Sequence, residues 1–128
     1  MDIQGLVGKT ITKFELSNFN VDNDELVFEC SDGSVYRFHH DQDCCEKVGF
    51  VGDLEYLQPL LPITIKGITE VCTHNEDDYN SYTEQIYNIL TPDNTFFVIC
   101  FRGESNGYYG EEVYLQKKVD GMWRTFEQ

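Results

Sequence analysis

Two Asp-Gly pairs, each set between runs of strand-forming residues, limit the folds open to this chain more than any other feature. The first joins Glu25-Leu26-Val27-Phe28-Glu29-Cys30 to Val35-Tyr36-Arg37-Phe38-His39 through Ser31-Asp32-Gly33-Ser34. Asp-Gly supplies the positive φ angles of a type I′ turn, so the flanking runs are expected to pair as a hairpin. A two-residue turn sets Glu25 opposite His40 and Leu26 opposite His39. The two histidines then point to opposite faces, because side chains alternate along a strand. The second pair, Asp120-Gly121, joins a long strand over Val113–Val119 to an edge strand over Met122–Phe126.

The rest of the chain reads mostly as further strands. Thr10–Leu16 is rich in β-branched and aromatic residues, and the polar run from Asn18 to Asp24 marks a turn region. Ile63–Cys72, Gln85–Leu90 and Thr95–Phe101 are strand-like. The last of these is apolar throughout and is expected to be buried on both faces. One segment reads differently. Asp43, followed three residues later by Glu46, has the form of a helix start. Val48, Val51, Leu54, Leu57 and Leu60 or Leu61 recur near helical spacing, which predicts one amphipathic helix ending before Pro59. Gly49 and Gly52 oppose it and would divide it into two pieces. The sum is an α+β domain: an antiparallel sheet of about six to seven strands with one helical segment after the first hairpin. No linker or repeat interrupts it, so residues 1–128 are expected to form a single acidic domain.

Charge narrows the function. The chain carries 9 basic and 23 acidic residues, a net charge of −14. Such a field repels nucleic-acid phosphates and anionic membranes and attracts basic protein surfaces. The plainer reading is a solvated surface that keeps the protein monodisperse. The acidic residues gather in three patches: Asp22, Asp24 and Glu25; Glu76, Asp77 and Asp78; Glu111 and Glu112. Five cysteines, two of them adjacent, make a poor disulfide framework and point to a reducing cytosol. The N-terminus lacks the basic head and apolar stretch of a secretion signal, and no apolar run approaches the ~20 residues of a membrane span.

The richest chemistry lies in His39-His40-Asp41-Gln42-Asp43-Cys44-Cys45-Glu46. Zinc takes thiolate, imidazole and carboxylate ligands, usually four in a tetrahedron. His40, Cys44 and Cys45 offer three, and Asp43, Glu46 or Glu104 a fourth. Against this, there is no Cys-x-x-Cys, and neighbouring residues on a helix diverge by about 100°, so both thiols reach one ion only where the backbone is irregular. The alternative is structural: Asp43 caps a helix, one cysteine packs as a small apolar residue, and His40 hydrogen-bonds nearby. A thiol nucleophile with His39 or His40 as base is a further option. Asp43, Glu46 and the net negative charge oppose it by raising the thiol pKa. The glycine-punctuated loop from Arg102 to Glu112 could bind a ligand through Tyr108 and Tyr109, or simply dock on its own domain. It lacks the lysine and following helix of a phosphate cradle.

Two stretches carry a family resemblance. Val35–Glu46, continuing to Gly52-Asp53-Leu54, and Arg102–Val113 resemble the two blocks of a family of small proteins of bacteriophages and prophages. The similarity runs from about Gly8 to Val119. Members often have tyrosine at the place of His39, which favours His40 as the ligand. Some small acidic phage proteins of this kind are anti-CRISPR proteins directed at the nuclease Cas9, and at least one is a metalloprotein. The resemblance therefore implies an inhibitor in the host bacterial cytoplasm that docks on a basic channel of Cas9 and blocks nucleic-acid loading. It would be non-enzymatic, monomeric or a small homo-oligomer, and would make no direct contact with nucleic acid or membrane. A zinc ion held by His40, Cys44 and Cys45, with Asp43 or Glu104 as the fourth ligand, would be structural. The three acidic patches would carry partner binding. The rival expectation is a small metal- or thiol-dependent enzyme acting on a phage or host metabolite.

Overall fold

The computed structural model describes residues 3–20, 23–41, 46–52, 54–77, 80–105 and 111–125. Among them are ten strands: β1 Thr10–Asn20, β2 Asn23–Cys30, β3 Val35–His39, β4 Lys47–Val51, β5 Ile63–Thr64, β6 Gly67–Glu76, β7 Ser81–Leu90, β8 Phe96–Ser105, β9 Tyr114–Val119 and β10 Met122–Thr125. Helical content among the described residues is confined to short 3-10 turns at Ile3–Leu6, Leu54–Tyr56 and Gln58–Leu60. No described helix is long and apolar enough to cross a membrane.

Both Asp-Gly pairs make hairpins, in different ways. Asp120 and Gly121 take φ of 52° and 79°, and Val119 pairs with Met122 across a two-residue turn as expected. At the first pair the loop is one residue longer. Cys30 N–H donates to Ser34 O (2.9 Å), and only Gly33 has positive φ. The Asp32 carboxylate holds this wider loop by accepting the Ser34 N–H (2.9 Å) and the Lys9 ammonium. The register therefore shifts: Leu26 lies opposite Phe38 rather than His39.

The strands form two layers. One runs β5-β1-β2-β3-β9-β10 and the other β4-β8-β7-β6, with every neighbouring pair within a layer antiparallel. A single parallel pair, Asn23 with Val48, links them. The antiparallel expectation holds, but the protein is mostly β with ten described strands rather than six or seven. The core lies between the layers. Phe38 is its hub, with ring centroids 4.8 Å from Tyr87, 5.6 Å from Phe101 and 5.8 Å from Phe28. Such pairs each add about 0.5–1.5 kcal/mol beyond the area they bury.

Two expectations need correction. The predicted amphipathic helix is strand β4 followed by 3-10 turns. Val48, Phe50 and Val51 favour a strand, Gly49 and Gly52 disfavour a helix, and β8 offers a partner over Lys47–Val51. Gly52 breaks the segment at φ 114°. Second, β8 is not buried on both faces: Phe96 is 67% and Val98 48% exposed, while Ile99 and Phe101 are buried. Among the described residues no third layer covers the outer side of its layer at Phe96 and Val98.

Candidate binding face

Strand β7 alternates without interruption, turning Ser81, Thr83, Gln85, Tyr87 and Ile89 inward. Its apolar end meets Phe38. Its polar end is met by the segment 111–113, which lies flat on β7 and β8. Gln85 pairs with the Val113 backbone: its Oε1 accepts the N–H (2.5 Å) and its Nε2 donates to the carbonyl (3.1 Å). Glu111, only 4% exposed, accepts from Ser105 Oγ (2.6 Å) and from Ser81 Oγ, while its Oε2 has no hydrogen-bond partner among the described residues. The close approach requires glycine below it: a Cβ on Gly103 would lie 2.5 Å from Glu111 O. Beside this contact, Asp77, Asn80, Ser81, Tyr82, Glu104 and Ser105 line a cavity of about 290 Å³.

The two histidines at the end of β3 diverge, as side-chain alternation requires. His39 faces Glu25 (3.6 Å) and Asp41 (3.3 Å). Burial first, and then the neighbouring Arg37 guanidinium, push its imidazole below its ordinary pKa. His40 Nδ1 donates to Glu112 O (2.6 Å), and its Nε2 lies 3.2 Å from Glu46 Oε2, at ion-pair distance though not aligned as a hydrogen bond. Glu46 is fully buried and His40 is 4% exposed. This pair ties the end of β3 both to the start of β4 and to the segment over β7.

The predicted metal set is not brought together by the described residues. Both ring nitrogens of His40 are already faced by oxygens. Glu104 lies on the outer side of the β8 layer, where its carboxylate accepts from Arg102 Nε (3.1 Å) opposite Lys47. Asp43, Cys44 and Cys45 lie outside the described residues. Among the described residues no group of three His, Cys, Asp or Glu side chains is placed to hold a metal ion, which overturns the zinc expectation. The described thiols Cys30, Cys72 and Cys100 are all raised in pKa, with burial the largest cause, the opposite of the lowered pKa that activates a thiol.

The acidic patches divide unevenly. Asp24 accepts the Phe50 N–H (2.9 Å), and Glu25 accepts from Arg37 (2.7 Å), so both serve the fold. Glu111 is buried. Glu76, Asp77 and Glu112 are exposed, and Asp22 and Asp78 lie outside the described residues. One exposed carboxylate that the sequence reading passed over, Glu70, completes a coherent face. The inward side of β6 carries Glu70, Cys72, His74 and Glu76, all exposed. Their electrostatics converge. His74 is raised in pKa, chiefly by its bond to Glu76 (2.8 Å) and further by Glu111 and Glu112, and Cys72 feels both Glu70 and Glu112. Sequence carried a signal for this polar end in the polar inward positions Ser81, Thr83 and Gln85 of a strand otherwise patterned for burial.

Over residues 4–115 the sequence matches the family model of DUF7448, a domain of unknown function. No curated protein and no solved structure matches the chain. The description of the matched family names no bacteriophage, Cas9 or anti-CRISPR link, and those expectations are corrected together with the zinc.

Proposed function

We propose that this chain, which belongs to the DUF7448 family of domains of unknown function, is a non-enzymatic binding domain for a positively charged protein surface. The observation that carries the reading is the collection of exposed carboxylates Glu70, Glu76 and Glu112 on the uncovered inward side of β6. A net charge of −14 adds long-range steering toward a basic partner and keeps nucleic acid and anionic membranes away. The buried His40–Glu46 pair, and burial that raises the pKa of the described thiols, are consistent with a structural role for the chemically richest groups that are described.

Affinity capture from cell lysate tests the reading, comparing the wild type with a Glu70→Gln, Glu76→Gln, Glu112→Gln triple variant. Basic proteins are expected on the wild type, reduced on the variant and released as salt rises past the range where surface charges are screened. Capture of neutral proteins only, unchanged in the variant and in high salt, would sink it.

A further inference from the structure

Four strands bound the two layers among the described residues, and β6 has the longest free edge of the four. β1 also runs past its partner β5 from Thr12 to Asn20, but that edge carries Lys13, and its Phe14 carbonyl accepts from Gln58 Nε2 (3.1 Å). β5 has two residues and β10 four. β4 has five, and its Phe50 N–H is taken by Asp24. β6 has ten, paired to β7 at every position from Gly67 to Glu76 without a bulge, and every residue from Thr69 to Glu76 is exposed. Natural edges are blunted by shortness, proline, lysine or bulges. β6 has no proline and no lysine. Its only charged side chains apart from His74 are Glu70 and Glu76.

The ends of β6 identify which backbone groups face outward. The Leu90 carbonyl is turned toward β6 and accepts from Lys66 (2.8 Å), and the Asp77 N–H donates to Asn80 O (2.9 Å). These put the ladder bonds to β7 on the odd-numbered residues of β6, since narrow pairs alternate along an antiparallel ladder. The Ile68 carbonyl, of the opposite parity, is taken by Gln4 Nε2 (2.9 Å) instead. Glu70, Cys72, His74 and Glu76 therefore present their N–H and C=O groups away from the sheet. The same residues hold their side chains on the acidic inward side, while Thr69, Val71 and Thr73 turn to the outer side beside Ile86.

We propose that β6 accepts an extended segment of a basic protein as an added strand, with lysine or arginine at alternate positions facing Glu70 and Glu76. Apolar residues fill the positions between, beside Val71. This rests on the acidic-face reading and specifies how the partner is held: backbone bonds supply affinity and the alternating side chains supply selectivity. A second copy of the chain is disfavoured as occupant, because it would bring further Glu70 and Glu76 carboxylates and another −14 to the same edge.

The probe is a labelled peptide of about eight residues alternating lysine and valine, against a block peptide of the same composition. The alternating peptide should bind, and the block peptide about tenfold more weakly. Cys72→Pro removes an outward N–H without touching the ladder to β7, so it should weaken binding about tenfold, while Cys72→Ser binds as wild type. Amide exchange at Glu70, Cys72 and His74 in the wild type should slow on peptide binding. That readout decides the matter if the proline variant fails to fold. Unchanged exchange, or full affinity in a folded Cys72→Pro variant, overturns the added strand. Equal binding of both peptides, weakened only by Glu70→Gln with Glu76→Gln, overturns it while leaving the acidic face standing. Failure of the wild type to bind either peptide also overturns it, as does self-association in sedimentation that Cys72→Pro abolishes.

Discussion

The side-chain amide of Gln85 hydrogen-bonds both the N–H and the carbonyl of Val113, standing in for a strand partner that the segment 111–113 does not have. All of these groups are buried, so their bonds cannot be exchanged for water. Replacing Gln85 with Leu leaves a buried N–H and a buried carbonyl unsatisfied, each at a cost of roughly 1–3 kcal/mol. Gln85→Leu is expected to lower stability by about 2–4 kcal/mol in urea denaturation, far more than Asn88→Leu on the outer side of the same strand. Equal losses at the two positions would mean that Gln85 does not hold the segment.

Gly103 holds the neighbouring contact by having no side chain. A Cβ there meets the Glu111 backbone rather than a flexible side-chain end, so neither partner can yield cheaply. Gly103→Ala should cost about 1–3 kcal/mol, in the range of overpacked cores. Because Glu111 accepts from Ser81 and Ser105, the shift should also appear in the amide spectra of both serines. A stabilising Gly103→Ala, as expected where glycine only adds chain entropy, would contradict this packing.

The legible part of the fold was its local chemistry. Asp-Gly dipeptides predicted both hairpins because positive φ is a property of single residues. The missed register at Ser31-Asp32-Gly33 turned on Asp32 bonding Ser34, a choice between two loops that the same letters permit. The mistaken helix had a different cause. Val48, Val51, Leu54 and Leu57 fit a helical spacing, but pairing with β8 is a nonlocal gain that no window of sequence contains. The site suffered the same way: His40 was singled out, yet its partners Glu46 and the Glu112 carbonyl come from six residues and 72 residues along the chain, and only the first lay within view.

His40 and Glu46 are expected to behave as one unit. Each is buried, and the ring is held between the Glu46 carboxylate and the Glu112 carbonyl. Removing either side chain takes a buried polar contact from the other, at a cost of about 1–3 kcal/mol. His40→Ala and Glu46→Ala should therefore each be destabilising, and the double variant should lose much less than their sum. A double-mutant cycle in urea measures the coupling, and additive losses would show the two to be independent.

His39 sets a pH dependence of stability. It is 6% exposed and faced by Arg37 and Glu25 from β3 and β2, by Asp41, and by His40; burial outweighs the carboxylates and lowers its pKa below the ordinary 6.5. The unfolded chain therefore takes up a proton at this residue at a higher pH than the folded one. Its contribution is retained above pH 6.5 and lost as pH falls below that value toward the folded pKa. His74 acts with the opposite sign. Its pKa is raised, chiefly by Glu76, so its contribution is present below 6.5 and lost as pH rises through the folded value. His74 is exposed, so salt should weaken its effect. The urea midpoint of the wild type should thus drop between pH 7 and pH 5 at moderate salt, and His39→Gln should flatten that drop while His74→Gln steepens it slightly. An imidazole titration by nuclear magnetic resonance that put His39 above 6.5 would reverse the predicted slope and refute the assignment.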